Sequence, residues 1–356
     1  MHLDIPPLFC PIEARIHPEA ESIDAGAADW WMHGRHTEDV TLLHRTAATR
    51  SGIYLARCLP TAPGDRVESM ARWCYASFAF DDLYCDRGPL STDPCSFLPL
   101  SARTAAAIET MDPAVADGNR IVLALQDATR RFATHATPAQ LARWTQAHRL
   151  WMTGTAEQIA YRARSLTPDP DSYLITRLKS VAADCGWAGV EMCLGPDLAE
   201  RSAPMVRALT GLASLVTAID NDLFSAAAEA EAGPDARDPN IVDVLCSAHT
   251  APPDPGQARA AAIALRDRAL VRFLHLRRPA SKHYGCDLNR YLDALGQTIR
   301  ANLDFSLDML SARYAARGLR TPDDRTALFT DSPTDDSPVP PPIPCIAWLW
   351  SDDLPW

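Results

Sequence analysis

Apolar positions recur every three to four residues through most of the chain, and alternating β-branched runs are nearly absent. That period marks helices packed by one face. It predicts helices over roughly 38–58, 66–86, 99–111, 117–134, 138–164, 171–195, 203–231, 238–248, 257–276 and 287–316. Pro-rich breaks separate several of them: Pro60-Thr61-Ala62-Pro63-Gly64, Pro168-Asp169-Pro170 and Pro252-Pro253-Asp254-Pro255-Gly256. About ten helices and no credible strand series imply an all-α fold, one bundle with a core of facing helices. There is no internal repeat.

The two ends depart from this period. Residues 1–20 contain Pro and few periodic positions, and read as an extended lead-in strand or coil. Residues 319–356 are rich in Pro, Asp and Ser and include Pro338-Val339-Pro340-Pro341-Pro342, a tail prone to polyproline II and expected to be disordered. Its last residues, Trp348-Leu349-Trp350 and Trp356, are aromatic for such a segment, so docking on the body or on a partner is the competing expectation. The expected organisation is a lead-in over 1–20, one helical domain over 21–318 and the tail over 319–356.

The chain has 356 residues, 47% hydrophobic and 22% charged, which is ordinary globular usage and enough for a sizeable core. A net charge of −11 argues against a nucleic-acid partner, which calls for a basic footprint. It leaves room for an anionic small molecule, because metal ions invert the local sign inside a cleft. Ten Cys without a CxxC, no secretory signal and no run of about 18 apolar residues suggest a reducing, cytoplasmic setting without a membrane span.

Two polar clusters interrupt the apolar pattern. The uncharged segment Trp73-Cys74-Tyr75-Ala76-Ser77-Phe78-Ala79-Phe80 ends abruptly in Asp81-Asp82-Leu83-Tyr84-Cys85-Asp86. In a continued α-helix Asp82 and Asp86 share a face one turn apart. Three carboxylates at a helix C-terminus repel one another and oppose the dipole, so a compensating cation is expected, and Mg²⁺ prefers such oxygen ligands. The competing reading is a solvated acidic helix end leading into Arg87-Gly88-Pro89. The second cluster lies on the helix around 203–231, whose core stripe is Val206, Leu209, Leu212, Val216, Ile219 and Leu223. Another face carries Thr210, Ser214, Thr217, Asn221, Ser225 and Glu229. Asn221, Ser225 and Glu229 are spaced i, i+4, i+8, a ladder of amide, hydroxyl and carboxylate oxygens suited to a hard cation. Small-residue packing with a chance Glu explains it equally well. Two such helices facing each other could hold several Mg²⁺ ions, and the charge balance then asks for a bridging polyanion such as a diphosphate.

These residues resemble a family. Asp81-Asp82-Leu83-Tyr84-Cys85-Asp86 resembles the DDxxx[DE] motif of bacterial class I terpene synthases. Asn221-Asp222-Leu223-Phe224-Ser225-Ala226-Ala227-Ala228-Glu229 resembles their NDxxSxxxE metal triad. Tyr173-Leu174-Ile175-Thr176-Arg177 resembles the segment with the diphosphate-sensing arginine. Ala301-Asn302-Leu303-Asp304-Phe305-Ser306-Leu307 and then Ala312-Arg313-Tyr314 resemble the late helix that ends in an Arg-Tyr pair. The resemblance spans roughly residues 8–318.

It implies a class I terpenoid synthase-like helical bundle with a central apolar cavity, three Mg²⁺ ions (Mn²⁺ as a substitute) and a linear prenyl diphosphate substrate; a homodimer is compatible with it. By the same resemblance Asp81 binds metal, with Asp82 and Asp86 as weaker ligands or acceptors, and Asn221, Ser225 and Glu229 hold another ion. Arg177, Arg313 and Tyr314 grip the diphosphate, and Ser180 and Val181 fall at the positions that couple its binding to ionisation. Phe78, Tyr84, Asn302 and Phe305 border the substrate. Three departures stand out: Ala228 replaces a frequent Lys, Phe305 stands where Trp is common, and Arg177-Leu178-Lys179-Ser180-Val181-Ala182 departs from the usual Arg-Arg-x-Thr-x-Gly.

The implied reaction is ionisation of an allylic C–O bond, aided by charge placed where the transition state develops it. A dry, shaped pocket lets the chain's own double bonds attack the cation before water does, and aromatic faces such as Phe78, Tyr84 and Phe305 can stabilise it. Plain core packing is the competing reading for these rings. Farnesyl diphosphate, giving a sesquiterpene, is the default substrate, with geranylgeranyl or (methylated) geranyl diphosphate as the alternative. A prenyl chain-elongating transferase would need a second Asp-rich motif where the Asn/Ser/Glu set stands. A non-catalytic helical interaction protein would work through the aromatic tail.

Overall fold

The computed structural model describes residues 6–231, 239–247, 254–309 and 328–355. In chain order they form strand β1 (Leu8–Phe9) and helices α1 (Ala20–His33), α2 (Val40–Ala47), α3 (Ser51–Cys58), α4 (Gly64–Phe80), α5 (Pro94–Thr110), α6 (Arg120–Ala133) and α7 (Pro138–Ala163). Then come α8 (Pro170–Ser180), α9 (Ala183–Leu194), α10 (Pro204–Glu231), α11 (Ile241–Ser247), α12 (Pro255–His283), α13 (Cys286–Met309), strand β2 (Phe329–Thr330) and α14 (Pro344–Ala347). The fold is all-α, as the period requires. The chain divides into two compact units: Ala14–Arg164 with Lys179–Asp197, and Met1–Glu13 with Ser165–Leu178 and Leu198–Trp356. No helix among the described residues is long and apolar enough to cross a membrane.

In the first of these units α4 is the central helix and packs against α1, α3, α6 and α9. Its Trp73, Tyr75, Ala76, Ala79 and Phe80 are all buried, as the uncharged run over 73–80 demands. Around it Trp73, Trp144, Trp151 and Phe80 meet edge to face, with Trp73 and Trp144 centroids 5.4 Å apart. Side chains that satisfy first-turn amides start the helices: Asp39 for α2, Asn119 for α6, and Thr137 with Gln140 in a reciprocal box for α7.

Helix α1 is missed by the periodicity, because its buried side is Ala20, Ile23, Ala27 and Trp31 with the polar Asp24 among them. Asp24 is made tolerable there by Arg50 Nε at 3.0 Å, the Gly52 amide at 3.1 Å and the Tyr75 hydroxyl at 3.1 Å. The single helix expected over 38–58 is two, because Arg50 takes a left-handed conformation (φ 47°) that lets its side chain reach Asp24. The helix expected over 66–86 leaves the α form at Phe80 and continues as a π turn, Asp81–Cys85. The one expected over 171–195 breaks between Ser180 and Ala183, with Ala182 left-handed at φ 58°.

In the other unit α10 packs against α12 and α13. Its predicted stripe, Val206, Leu209, Leu212, Val216, Ile219 and Leu223, is buried throughout. The tail departs from its expected disorder over the described residues 328–355. Strand β2 pairs in parallel with β1, Leu8 opposite Phe329 and Phe9 opposite Thr330. Ile343, Ile346, Leu349 and Trp350 are buried. Arg272 donates to the Leu349 carbonyl at 3.3 Å and the Ser351 carbonyl at 2.6 Å, and the Pro355 carbonyl accepts the Met205 amide at the start of α10. Four apolar anchors among residues already stiffened by proline offset the entropy of ordering the segment.

Candidate functional site

The aspartate-rich segment belongs to the unit built on α4. The Asp86 amide donates to the Asp81 carbonyl at 2.9 Å, an i→i+5 bond that makes the turn wider than an α turn and narrows the angular offset between Asp81 and Asp86. Asp82 is buried and takes an ion pair from Arg45 Nε on α2 at 2.9 Å, so its carboxylate is engaged by protein. Asp86 is exposed and lies 4.0 Å from Arg162. Arg162, itself buried, donates to the Cys85 and Ser91 carbonyls and pins the chain just after the turn. Burial pushes the Cys85 thiol well above its ordinary pKa, with Asp81 and Asp86 adding to the effect, so Cys85 is an inert neighbour. Asp81 is half-buried, and Phe78, one turn earlier, is half-buried too. Tyr84 accepts a hydrogen bond from the Asn119 amide at 2.9 Å and meets Phe80 edge to face.

The same unit holds the break after α8. Ser180 is buried and its hydroxyl has no hydrogen-bond partner among the described residues, while Val181 is half-buried. Gly154 on α7 passes so close to this corner that a Cβ would sit 2.6 Å from the Ser180 amide nitrogen. Only glycine permits that approach.

The second cluster lies in the other unit. Arg177 donates from Nε to Asp222 Oδ1 at 2.8 Å and from Nη2 to Asn221 Oδ1. Asp222 also accepts the Tyr173 hydroxyl and, at 3.0 Å, the Ile241 amide. The structure therefore brings Arg177 and Asn221 together, with Asp222 between them and the chain. Asp222 was readable from the motif but carried no role in the sequence reading. Ser225 is buried one turn beyond Asn221. Glu229 lies within α10, but its side chain is outside the described residues, as are Arg313 and Tyr314 altogether. Thr210, Ser214 and Thr217 donate their hydroxyls to carbonyls one turn back in α10, which satisfies them without a cavity. On α13 Asn302 donates to the Thr217 carbonyl at 3.4 Å, and Phe305 is buried one turn later.

The donor atoms offered by both clusters are oxygens, the ligand type of Mg²⁺ and Mn²⁺. Among the described residues no group of three or more His, Cys, Asp or Glu forms a ready-made metal cage.

Comparison with known proteins agrees with this chemistry. Residues 72–270 match the family described as terpene synthase family 2, C-terminal metal binding. The chain is 35% identical to spiroviolene synthase of Streptomyces violens over 99% of this chain and 98% of that one. It is 33% identical to (+)-T-muurolol synthase of Streptomyces clavuligerus, described as farnesyl diphosphate cyclizing, over 96% of this chain and 81% of that one. A crystal structure of a protein from ancestral sequence reconstruction, 36% identical, superposes with a TM-score of 0.86 over 99% of this chain and 100% of that one. With the family match covering more than half its length and synthases alike along nearly all of it, the chain belongs to the terpene synthases, lyases that release diphosphate.

Proposed function

We propose that this enzyme is a Mg²⁺-dependent terpene cyclase that ionises farnesyl diphosphate and closes the resulting carbocation to a sesquiterpene. The observation that carries the reading is Arg177 held between Asn221 and Asp222. It sets a guanidinium, the natural partner of a diphosphate, beside an oxygen of the metal-triad motif. Asp81 and Asp86 are the carboxylate ligands, and Asn221, Ser225 and Glu229 are the second ligand set. Asp82, engaged by Arg45, orients the turn and serves as an acceptor. When bound, the metal supplies Lewis-acid and electrostatic stabilisation of the leaving diphosphate. Arg177 donates to the diphosphate oxygens as the C–O bond lengthens, joined by Arg313 and Tyr314. Phe78 and Phe305 present apolar faces that exclude water and stabilise positive charge. Ser180 and Val181, at the break after α8, follow the arginine and couple its engagement to ionisation.

A second reading, geranylgeranyl diphosphate as substrate, is favoured by likeness to a protein named diterpene cyclase DtcycB from Streptomyces sp, 25% identical over 98% of this chain. Incubation with C10, C15 and C20 prenyl diphosphates plus Mg²⁺, with analysis of the extracted hydrocarbons, separates the two. Asp81→Ala and Asn221→Ala are expected to abolish product while the helical circular dichroism spectrum is kept. Product at wild-type yield from both variants would refute the ligand assignment.

A further inference from the structure

Three buried charges lie beside the Asn221–Ser225 ladder. Arg266 and Asp267 on α12 and Asp220 on α10 are each wholly buried. Arg266 meets Asp220 with one edge of its fork, Nε donating to Oδ1 at 2.8 Å and Nη2 to Oδ2 at 3.5 Å. Its Nη1 donates to Asp267 Oδ1 at 3.0 Å and to the Phe9 carbonyl of β1. The other Asp267 oxygen accepts both the Thr334 amide and the Thr334 hydroxyl at 2.9 Å, just past β2. Both chain ends are thereby tied to one guanidinium and, through it, to α10.

Stability is a weak explanation for this group, since apolar replacements of buried ion pairs are often no less stable. What the group fixes is direction. The guanidinium fork is planar and rigid, so a two-point contact with Asp220 on one edge, backed by Asp267 and the Phe9 carbonyl on Nη1, resists both roll and slide of α10. Asp220 immediately precedes Asn221, about 100° round the helix. A roll of about 20° would carry a polar atom about 6 Å from the helix axis by about 2 Å. That is enough to spoil a ligating geometry, for which even about 1 Å counts.

We propose that Arg266 is a positioning residue: by clamping Asp220 it sets the roll of α10 and keeps Asn221 and Ser225 aimed to ligate, with the two chain ends as its abutment. The inference rests on the reading of Asn221 and Ser225 as metal ligands. It is tested on the full-length enzyme with Arg266→Met, Arg266→Lys and Thr334→Val. Two quantities are measured: amide hydrogen exchange along α10 and α4, and the Mg²⁺ concentration for half-maximal turnover beside kcat. In Arg266→Met, exchange over 217–225 should quicken about tenfold while α4 keeps its protection. The half-maximal Mg²⁺ concentration should rise about tenfold, the range seen when partners behind a metal ligand are lost, with kcat largely recovered at high Mg²⁺. Arg266→Lys should fall between, and Thr334→Val should shift both readouts about twofold in the same direction. Unchanged exchange over 217–225 with unchanged Mg²⁺ dependence overturns the proposal, as does a loosening spread evenly over all helices. If Arg266→Met does not fold, the same criteria apply to Arg266→Lys and Thr334→Val. Wild-type turnover indifferent to Mg²⁺ would remove the ligand reading instead, and the exchange measurement would still report the clamp.

Discussion

Replacing Asp222 with Asn asks whether the fold itself dictates the aim of Arg177. The Asp222 carboxylate is 2% exposed and accepts from Arg177 Nε at 2.8 Å, from the Ile241 amide at 3.0 Å and from the Tyr173 hydroxyl. Asparagine fits the space but turns one acceptor oxygen into a donor, which must then face one of those donors. A hydrogen bond to a charged group contributes about 1.5–3 kcal/mol, and a stranded buried donor costs about 1–3 kcal/mol. Breaking a fully buried pair reaches about 3–5 kcal/mol. The Arg177 side chain is 15% exposed and keeps some water, which places the expected loss near the lower end, about 3 kcal/mol. With an m-value of about 3 kcal/mol/M in urea, the unfolding midpoint should drop by about 1 M. Turnover should fall with it, because the carboxylate charge that holds the Arg177 guanidinium in place is gone. A cycle with Arg177→Met separates the pair from its surroundings, and a coupling above about 1 kcal/mol is expected for residues in direct contact. A midpoint within about 0.2 M of wild type, or strictly additive effects in the cycle, would refute the reasoning.

Three further outcomes follow from the geometry. Arg45→Met should reduce stability by about 1–3 kcal/mol and cut turnover, since Asp82 loses the guanidinium that engages it, and urea unfolding with steady-state kinetics reads both. His148 is wholly buried, with Nε2 accepting from the Trp73 indole at 2.8 Å and Nδ1 bonded to the Trp144 carbonyl at 2.8 Å, and burial pushes its pKa down to about 4. The unfolded chain takes up this proton first, near pH 6.5, so the stabilisation is complete above that pH and is lost as pH falls toward 4, by up to about 3 kcal/mol; His148→Gln should flatten that stretch of the stability curve, and an unaltered slope contradicts the assignment. Gly211→Val should destabilise by about 1–3 kcal/mol, because a Cβ there would meet Leu349 Cδ2 at 2.9 Å, and faster proteolysis within 343–355 would show the tail displaced.

The helices were legible because their determinants are local. The stripe from Val206 to Leu223 repeats within its own helix, and the Thr137–Gln140 box that starts α7 closes within four residues. The order of the polar motifs was legible too, since Asp81–Asp86 and Asn221–Glu229 are contiguous in sequence. Two of the departures trace to an interaction with a residue far along the chain. Arg50 leaves the helical conformation to reach Asp24, and the docked tail rests on Arg272. Proline content bears on the tail's local stiffness alone and said nothing of the buried places waiting for Ile346, Leu349 and Trp350.

By itself, then, the amino-acid order determined that this chain is helical, where most helices begin, and which carboxylate, amide and hydroxyl groups stand out from an apolar background. Tertiary structure alone decided which of those groups are already engaged: Asp82 by Arg45, Asp222 by Arg177 and Tyr173, Asp220 by Arg266. The physical reason is one of range. Periodicity, caps and breaks act over one or two turns, whereas a buried charge must find its partner wherever the packed helices bring one, here 37 to 49 residues away.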